Sequence, residues 1–422
     1  MATPLGEGSF LSGKKIIISG AGIAGPSFAI ALRKLWPSSL SPAPSITIYE
    51  RDSETIDPSR EGYTISIRSD RNSGGMQALQ KLGLLDEVLA SSVTGIQDNP
   101  GAFNLWDINW RVLLQIKPTT PKGLPTPHMR VARNILRRHM IEAIPDQDEI
   151  HWEKTVISAK TIDGGRVQVK LSTGEVDECD LLIVSDGSKS KLRTTIWPDD
   201  KLSFSGVVSI SGIAKFEKSV PQPMDRNWGA VLGGMGTGLF VSPVDEHSAF
   251  WAVSYLAAEP RETTRQPIPK SQVEELLKEA LERGKAFQEP FQTLVKSTDQ
   301  TTVSLLSFMD KQPFKHKSDG LNALPVIFIG DSNHAVTPYA GNGANMALMD
   351  GWDLADQLVK CASLKAAVEN FDRLSYPRAS STLKFSHANI RIGHTQGWQL
   401  TLYTSLLKTV SVLFGIRGAM SS

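Results

Sequence analysis

Within its first fifty residues the chain sets out a strand, a glycine-rich turn, a helix and a second strand ending on an acid, and no other feature constrains the fold as tightly. Residues 14–19 (KKIIIS) read as a short buried strand. Gly20-x-Gly22-x-x-Gly25 follows, with Ile23 and Ala24 between its last two glycines. Over 26–36 the apolar residues Phe28, Ile30, Ala31 and Leu35 recur at helical spacing, and the Pro/Ser-rich stretch 37–44 then reads as an exposed loop. Residues 45–50 (SITIYE) alternate like a strand and complete a βαβ unit. Glycines there permit a tight turn and close backbone approach to a pyrophosphate, while the helix start offers unsatisfied N–H groups and a positive dipole end. Glu50 lies 25 residues beyond Gly25. The usual spacing is about 20, and the 37–44 loop accounts for the excess. A carboxylate there accepts hydrogen bonds from a ribose diol and disfavours a 2′-phosphate.

Two further junctions repeat the pattern of buried strand, small residues and acid. Residues 180–185 form an apolar strand leading to Asp186-Gly187. Residues 325–330 form another, leading to Gly330-Asp331 and then to Pro338, Gly341, Gly343, Ala344 and Asn345 at a helix start. Between them, residues 203–257 alternate as antiparallel strands, with turns at 221–223 and 243–246. Helices are expected over 74–89, 133–143, 271–285 and 345–359, with a small β-meander over 150–176. Nucleotide-type strands therefore stand at both ends, with a sheet domain inserted. The expected division is 1–75, 131–200 and 311–375 for the cofactor domain, 76–130 and 201–310 for the substrate domain, and 376–422 for C-terminal helices.

Composition narrows the classes. A net charge of +1 argues against a nucleic-acid partner. Two distant cysteines, and eight scattered histidines without an HExxH, give no metal or disulfide framework. No leader segment and no stable membrane insertion are expected, and a cytoplasmic monomer or homodimer follows. Residues 398–416 read as a packing helix, with peripheral membrane contact as the alternative.

Taken together, the three junctions resemble those of the flavoprotein monooxygenases of the aromatic-hydroxylase type (group A, the para-hydroxybenzoate hydroxylase fold), over about residues 14–395. The resemblance implies an α/β fold: a Rossmann-like FAD-binding domain with an inserted antiparallel-sheet substrate domain and C-terminal helices. It implies that Asp186-Gly187 serves the FAD and NAD(P)H pyrophosphates and that Asp331 binds the ribityl chain. Glu50-Arg51 resembles the family's ribose-binding acid and arginine. Arg133 begins its Arg-x-x-Leu element near the ribityl–phosphate region, and the 338–345 loop lies beside the isoalloxazine ring. Asn342 and Ser332-Asn333 depart from the commoner residues there.

The implied cofactors are FAD, transient NADPH or NADH, and O2, with oxygen transferred from a C4a-hydroperoxyflavin. With one complete GxGxxG, a second stable nicotinamide domain is not expected. Arg68 is the candidate polar group near the flavin, and His334 reads as a structural support for the loop. Trp228, Met235, Phe240, Phe250 and Trp251 are candidates for the substrate wall, of which alternation allows about half to face a cavity. Arg68 and Trp251 are the expected catalytic pair. Few charges occur on these strands, so the expected substrate is a bulky, largely neutral aromatic or polycyclic natural product, hydroxylated or epoxidised. Alternatives are a flavin reductase or dehydrogenase on an isoprenoid or quinone, tetracycline-type inactivation, and a non-catalytic flavin-binding redox module. Halogenation is disfavoured because residues 106–110 do not match Trp-x-Trp-x-Ile-Pro.

Overall fold

The computed structural model describes residues 9–405 apart from 41, 56–62, 71–72, 93–100, 117–118, 265, 317–324, 401 and 404. Five parallel strands form the first sheet, in the spatial order Val326–Phe328, Leu181–Val184, Lys15–Ser19, Ser45–Tyr49 and Glu149–His151. The run Ile16-Ile17-Ile18 is wholly buried because both faces of this sheet are covered. Ile16 and Ile18 join Phe28, Leu32, Leu348 and Leu354 on the helical side. Ile17 joins Leu182, Phe328 and Val169, the last from the meander Val156–Thr161, Val167–Leu171 and Val176–Cys179.

Helix Ala24–Leu35 packs along helix Gly343–Lys360. Gly351 makes this approach possible: a Cβ there would lie 2.6 Å from the Phe28 backbone nitrogen. Beside it, Ser27 Oγ donates to the Leu348 carbonyl at 2.8 Å. The chain's first and last nucleotide-type segments thus lock together across some 320 residues.

A second, seven-stranded sheet runs Ser304–Asp310, Ser203–Lys215, Ser248–Leu256, Thr237–Pro243, Trp228–Leu232, Phe103–Trp106 and Val112–Ile116. One face carries Val208, Ile210, Leu239, Val241, Trp251 and Val253, sealed beneath helices Lys270–Arg283 and Phe291–Lys296. The other face turns to the cofactor domain. Between the layers lies a two-stranded ribbon, Thr64–Arg68 paired antiparallel with His128–Ala132.

Three expectations change. The helix over 74–89 is two helices, Gly75–Leu82 and Leu85–Ala90, parted at Gly83 in the left-handed region (φ 83°). Leu84 N–H then closes back on the Leu79 carbonyl at 2.9 Å, a helix-ending turn. Met76, Leu79, Leu82 and Val88 pack in the cofactor core, so of the described 76–130 segment only strands Phe103–Trp106 and Val112–Ile116 join the substrate sheet. The boundary at 375/376 falls inside one 30-residue helix, Leu364–Gly393, which carries Pro377 within it. Most of the 398–416 segment lies outside the described residues. Among the described residues no helix is long and apolar enough to cross a membrane.

Candidate active site

At the first turn Gly20 takes φ 105°, and a Cβ there would meet the Ser185 carbonyl at 2.6 Å. A Cβ on Gly25 would lie 2.2 Å from the Gly20 carbonyl, whereas one on Gly22 would meet nothing within 4 Å. Gly20 and Gly25 are therefore required by packing, and Gly22 presents an open backbone edge. Ile23 precedes the helix, Ala24 begins it, and no side chain caps the N–H groups there. An anionic group can take that place.

Glu50 is buried behind the turn, where it accepts from Ala21 N–H at 2.5 Å and from Asp52 N–H at 2.9 Å. Its carboxylate shapes the glycine loop and keeps acceptor capacity for a ribose. Arg51 points outward, 3.8 Å from Asp52. Arg137, which the sequence reading passes over, reaches under the loop: its Nε donates to the Ala21 carbonyl at 2.9 Å, and Nη2 lies 3.9 Å from Glu50. It stands one helical turn after Arg133, and that spacing was the available signal.

Asp186 Oδ1 is buried with no hydrogen-bond partner. Burial pushes the Asp186 carboxyl up to about 6, against the Ser190 hydroxyl and Arg193. Gly187 beside it takes φ 85° and borders open space. Arg193, also missed, joins this junction to the third one. It donates to the Ser188 carbonyl at 2.6 Å and to the Ser332 carbonyl at 2.8 Å.

At the third junction Gly330 adopts φ 61°, ψ −145° and donates its N–H to Asp350 Oδ2 at 2.9 Å. Asp331 lies over the next helix start, with Oδ1 3.9 Å from where a Gly343 Cβ would stand. Burial raises the Asp331 carboxyl, and the charges of His334, Arg133 and Arg193 oppose the rise. Beneath it, His334 Nε2 meets Asp350 at 2.5 Å, and Arg378 bridges Asp350 and Asp353 at 2.9 Å each. Burial alone would lower His334 and raise Asp350. Their mutual attraction reverses both, leaving the imidazole above and the carboxyl well below its ordinary range. His334 thus supports the loop from below, and its Nε2 is engaged by the Asp350 carboxylate.

The 338–345 loop runs from exposed Pro338 through Gly341 (φ 57°) to half-buried Ala344. The Asn345 side chain is engaged away from the cofactor position. Its wholly buried amide accepts from Arg68 N–H at 2.8 Å and donates to the Ser66 carbonyl at 2.9 Å. It clamps strand Thr64–Arg68 to the helix. The Arg68 guanidinium donates to Ser73 Oγ at 2.5 and 2.9 Å and to the Ala340 carbonyl at 3.4 Å, beside Asp70 at 3.1 Å.

The substrate wall is corrected by parity. Trp251 is completely buried on the far face, with Nε1 bonded to Thr298 Oγ1 at 2.8 Å, so it neither lines the cavity nor approaches the reacting centre. Met235 is 55% exposed in the turn between two strands and joins no wall. Trp228 is buried on the cofactor side, edge-on to His128 with centroids 4.6 Å apart. Phe240, Phe250, Ala252 and Ala230 share that side and stay half-buried in mid-sheet, while their neighbours Val241, Trp251 and Val253 are sealed. That alternation leaves this face partly open, as the wall of a substrate site requires. Opposite stands Tyr339, from the loop, which donates to Ser254 Oγ at 2.7 Å, and His394 Nε2 completes the cluster at 3.1 Å from Ser254. Among the described residues no group of three His, Cys, Asp or Glu is gathered as a metal site.

An open glycine edge, an uncapped helix start, a buried partnerless Asp186 oxygen and an acid over a glycine helix start fit the groups of FAD. The comparisons agree. A family model described as an FAD binding domain matches residues 14–382. The monooxygenase cfoF of Aspergillus candidus is 38% identical over 396 residues, covering 92% of this chain and 93% of that one. Klebsiella pneumoniae HpxO complexed with FAD and uric acid superposes with a TM-score of 0.76 at 21% identity, covering 97% of this chain and 96% of that one. A salicylate hydroxylase substrate complex gives 0.73 at 18% identity, covering 94% and 93%. The fold is that of the para-hydroxybenzoate-hydroxylase class. The chain belongs to the FAD-binding-domain family, among the group A flavin-dependent monooxygenases.

Proposed function

We propose that this FAD-dependent monooxygenase consumes NAD(P)H and inserts one oxygen atom from O2 into a bulky aromatic or polycyclic natural product. The observation that carries the reading is the half-buried face of Phe240, Phe250 and Ala252 in a sheet whose other face is sealed. Such a wall, set against the loop 338–345, fits a flat apolar ring system. Its likeness to a relative named a monooxygenase over nearly the full length of both chains supports the reaction class.

When bound, FAD supplies hydride acceptance and oxygen activation. The chain's own residues do the rest. Gly22 and the Ala24 helix start hold the pyrophosphate, Glu50 the adenosine ribose, and Asp331 and Arg133 the ribityl–phosphate region. Asp186-Gly187 borders the pyrophosphate. The uncapped start of helix Gly343–Lys360 would offer its positive dipole end to negative charge developing on the flavin. Arg68 fixes the Ala340 carbonyl and with it the loop. Phe240 and Phe250 position the substrate and exclude water.

The test is turnover under ¹⁸O2 with NADPH or NADH and a panel of phenolic, indole and polyketide aromatics. One ¹⁸O per product and one nicotinamide oxidised per product are expected. Nicotinamide oxidation yielding hydrogen peroxide alone, across the panel, would reduce the protein to an oxidase or reductase.

A further inference from the structure

Deeply buried cations in this fold face carboxylates. Arg193 has Asp200 at 3.7 Å, Lys311 has Asp200 at 3.2 Å, Arg137 has Glu50 at 3.9 Å, and Arg378 has Asp350 at 2.9 Å. Arg130 does not. It is 4% exposed, on strand His128–Ala132, and no carboxylate of the described residues forms an ion pair with it. Its partners are all neutral. Nη1 donates to Ser66 Oγ at 2.7 Å, and Nη2 donates to the Thr64 carbonyl at 2.9 Å and to Thr64 Oγ1 at 2.7 Å. Nε is buried without an acceptor. The Trp228 and Phe240 rings stand 6.0 and 5.9 Å from Cζ. Burial lowers the guanidinium to about 9, which leaves it charged at neutral pH.

A buried charge without a counter-charge is costly, and an apolar residue of the same size would avoid the cost. Its place suggests what the cost serves. Ser66 and Phe240, which touch Arg130, are themselves half-buried, and Phe240 belongs to the cavity wall beside Phe250, 6.3 Å away. Arg130 therefore stands on the side that Phe240 and Trp228 face, at the ribbon, held by two hydroxyls that can rotate.

We propose that Arg130 is an anion-recognition residue of the substrate cavity, taking a carboxylate or an acidic phenol or enol oxygen of the bound aromatic. The substrate is then a bulky ring system with one anionic oxygen, which revises the largely neutral molecule that strand composition suggests. Calling the ligand a substrate rests on the monooxygenase reading, but its binding does not.

The FAD-loaded protein, without nicotinamide, is titrated calorimetrically with 2-naphthoate and 2-naphthamide. A parallel arm uses 4-nitro-1-naphthol above and below its ionisation, and so separates carboxylate from phenolate recognition. Wild type should favour an anion over its neutral counterpart about tenfold or more. Arg130→Met should lower anion affinity about thirtyfold or more, and Arg130→Lys should keep part of the preference. The unfolding midpoint of Arg130→Met should equal or exceed that of wild type, because an unpaired buried charge is gone. Equal affinity of wild type for both anions and their neutral counterparts overturns the proposal, as does a preference that survives in Arg130→Met. If no probe binds, the midpoint decides: a fall in Arg130→Met makes Arg130 a structural strut. If Arg130→Met fails to fold, that also marks a strut. No arm consumes oxygen or nicotinamide, so failure of the labelling experiment and failure here are separate results.

Discussion

Asp186 carries a proton equilibrium that the fold has displaced. Its carboxyl titrates near 6 because burial disfavours the ionised form, whereas an unfolded aspartate titrates near 3.8. The folded state therefore binds a proton more tightly than the unfolded state. The resulting penalty is absent below about pH 4, grows between about 4 and 6, and is complete above that, at about 3 kcal/mol. Asp186→Asn should raise the urea-unfolding stability of the FAD-free protein at pH 7.5 by up to that amount and change nothing at pH 4. An equal gain at both pH values would mean that charge is not the cause. Asp331 makes the complementary case. Its carboxylate is set over the Gly343 helix start among the charges of His334, Arg133 and Arg193. If it accepts ribityl hydroxyls, Asp331→Ala loses hydrogen bonds to a charged group and weakens FAD binding by about tenfold to a hundredfold. A normal flavin-to-protein ratio after gel filtration would remove Asp331 from the cofactor site.

The strands themselves were legible before their faces were. Alternation over 238–256 marks two strands and allows half of their residues into a cavity, yet sequence alone does not say which half. That is decided by helices Lys270–Arg283 and Phe291–Lys296, which cover one face and claim Trp251, while Phe250 turns to the other. Phe250→Ala should therefore raise the KM of the substrate found by the labelling panel, with stability changed by about 1 kcal/mol or less. Trp251→Ala should do the reverse: it empties a packed site and costs about 3–5 kcal/mol in urea unfolding with the KM unchanged. If the two variants behave alike, the assignment of faces is wrong. The glycine junctions were readable for a different reason. Gly25 is fixed by the Gly20 carbonyl inside one strand–turn–helix, so local order is enough, whereas Gly20 takes its left-handed φ locally but backs onto Ser185 from a distant strand. Arg130, Arg137 and Arg193 carry no motif of their own, and the contacts that tie them to the site, to Thr64 and Ser66, to Ala21 and Glu50, and to Ser332, lie 64 to 139 positions away in the chain. Asn345 was read as a cofactor residue because it closes the loop motif, but its amide is spent on Ser66 and Arg68 nearly 280 positions earlier.

Across the whole molecule one buried ionic cluster joins what the sequence keeps apart. Arg378 comes from helix Leu364–Gly393, Asp350 and Asp353 from helix Gly343–Lys360, and His334 and the Gly330 N–H from the junction that bears Asp331. Ser375 adds a hydroxyl to Asp350 at 2.8 Å. Helix Gly343–Lys360 in turn packs on helix Ala24–Leu35, behind the first glycine turn. The C-terminal helix is therefore part of the scaffold of the cofactor site, although it follows the last glycine motif. Arg378→Met leaves Asp350, among the described residues, with His334 as its one remaining ion pair and takes from Asp353 its pair with Arg378. Removing one member of such a buried cluster costs about 3–5 kcal/mol, because the carboxylates stay buried while their counter-charge is gone. The loss should reach the flavin. In the holoprotein, release of flavin fluorescence and the change in tryptophan emission should coincide along the urea axis, and in Arg378→Met both should move together to lower urea. A variant in which flavin is released early while tryptophan emission holds its wild-type midpoint would show that the cluster serves the junction alone. The helix would then be a separate unit docked on the cofactor domain.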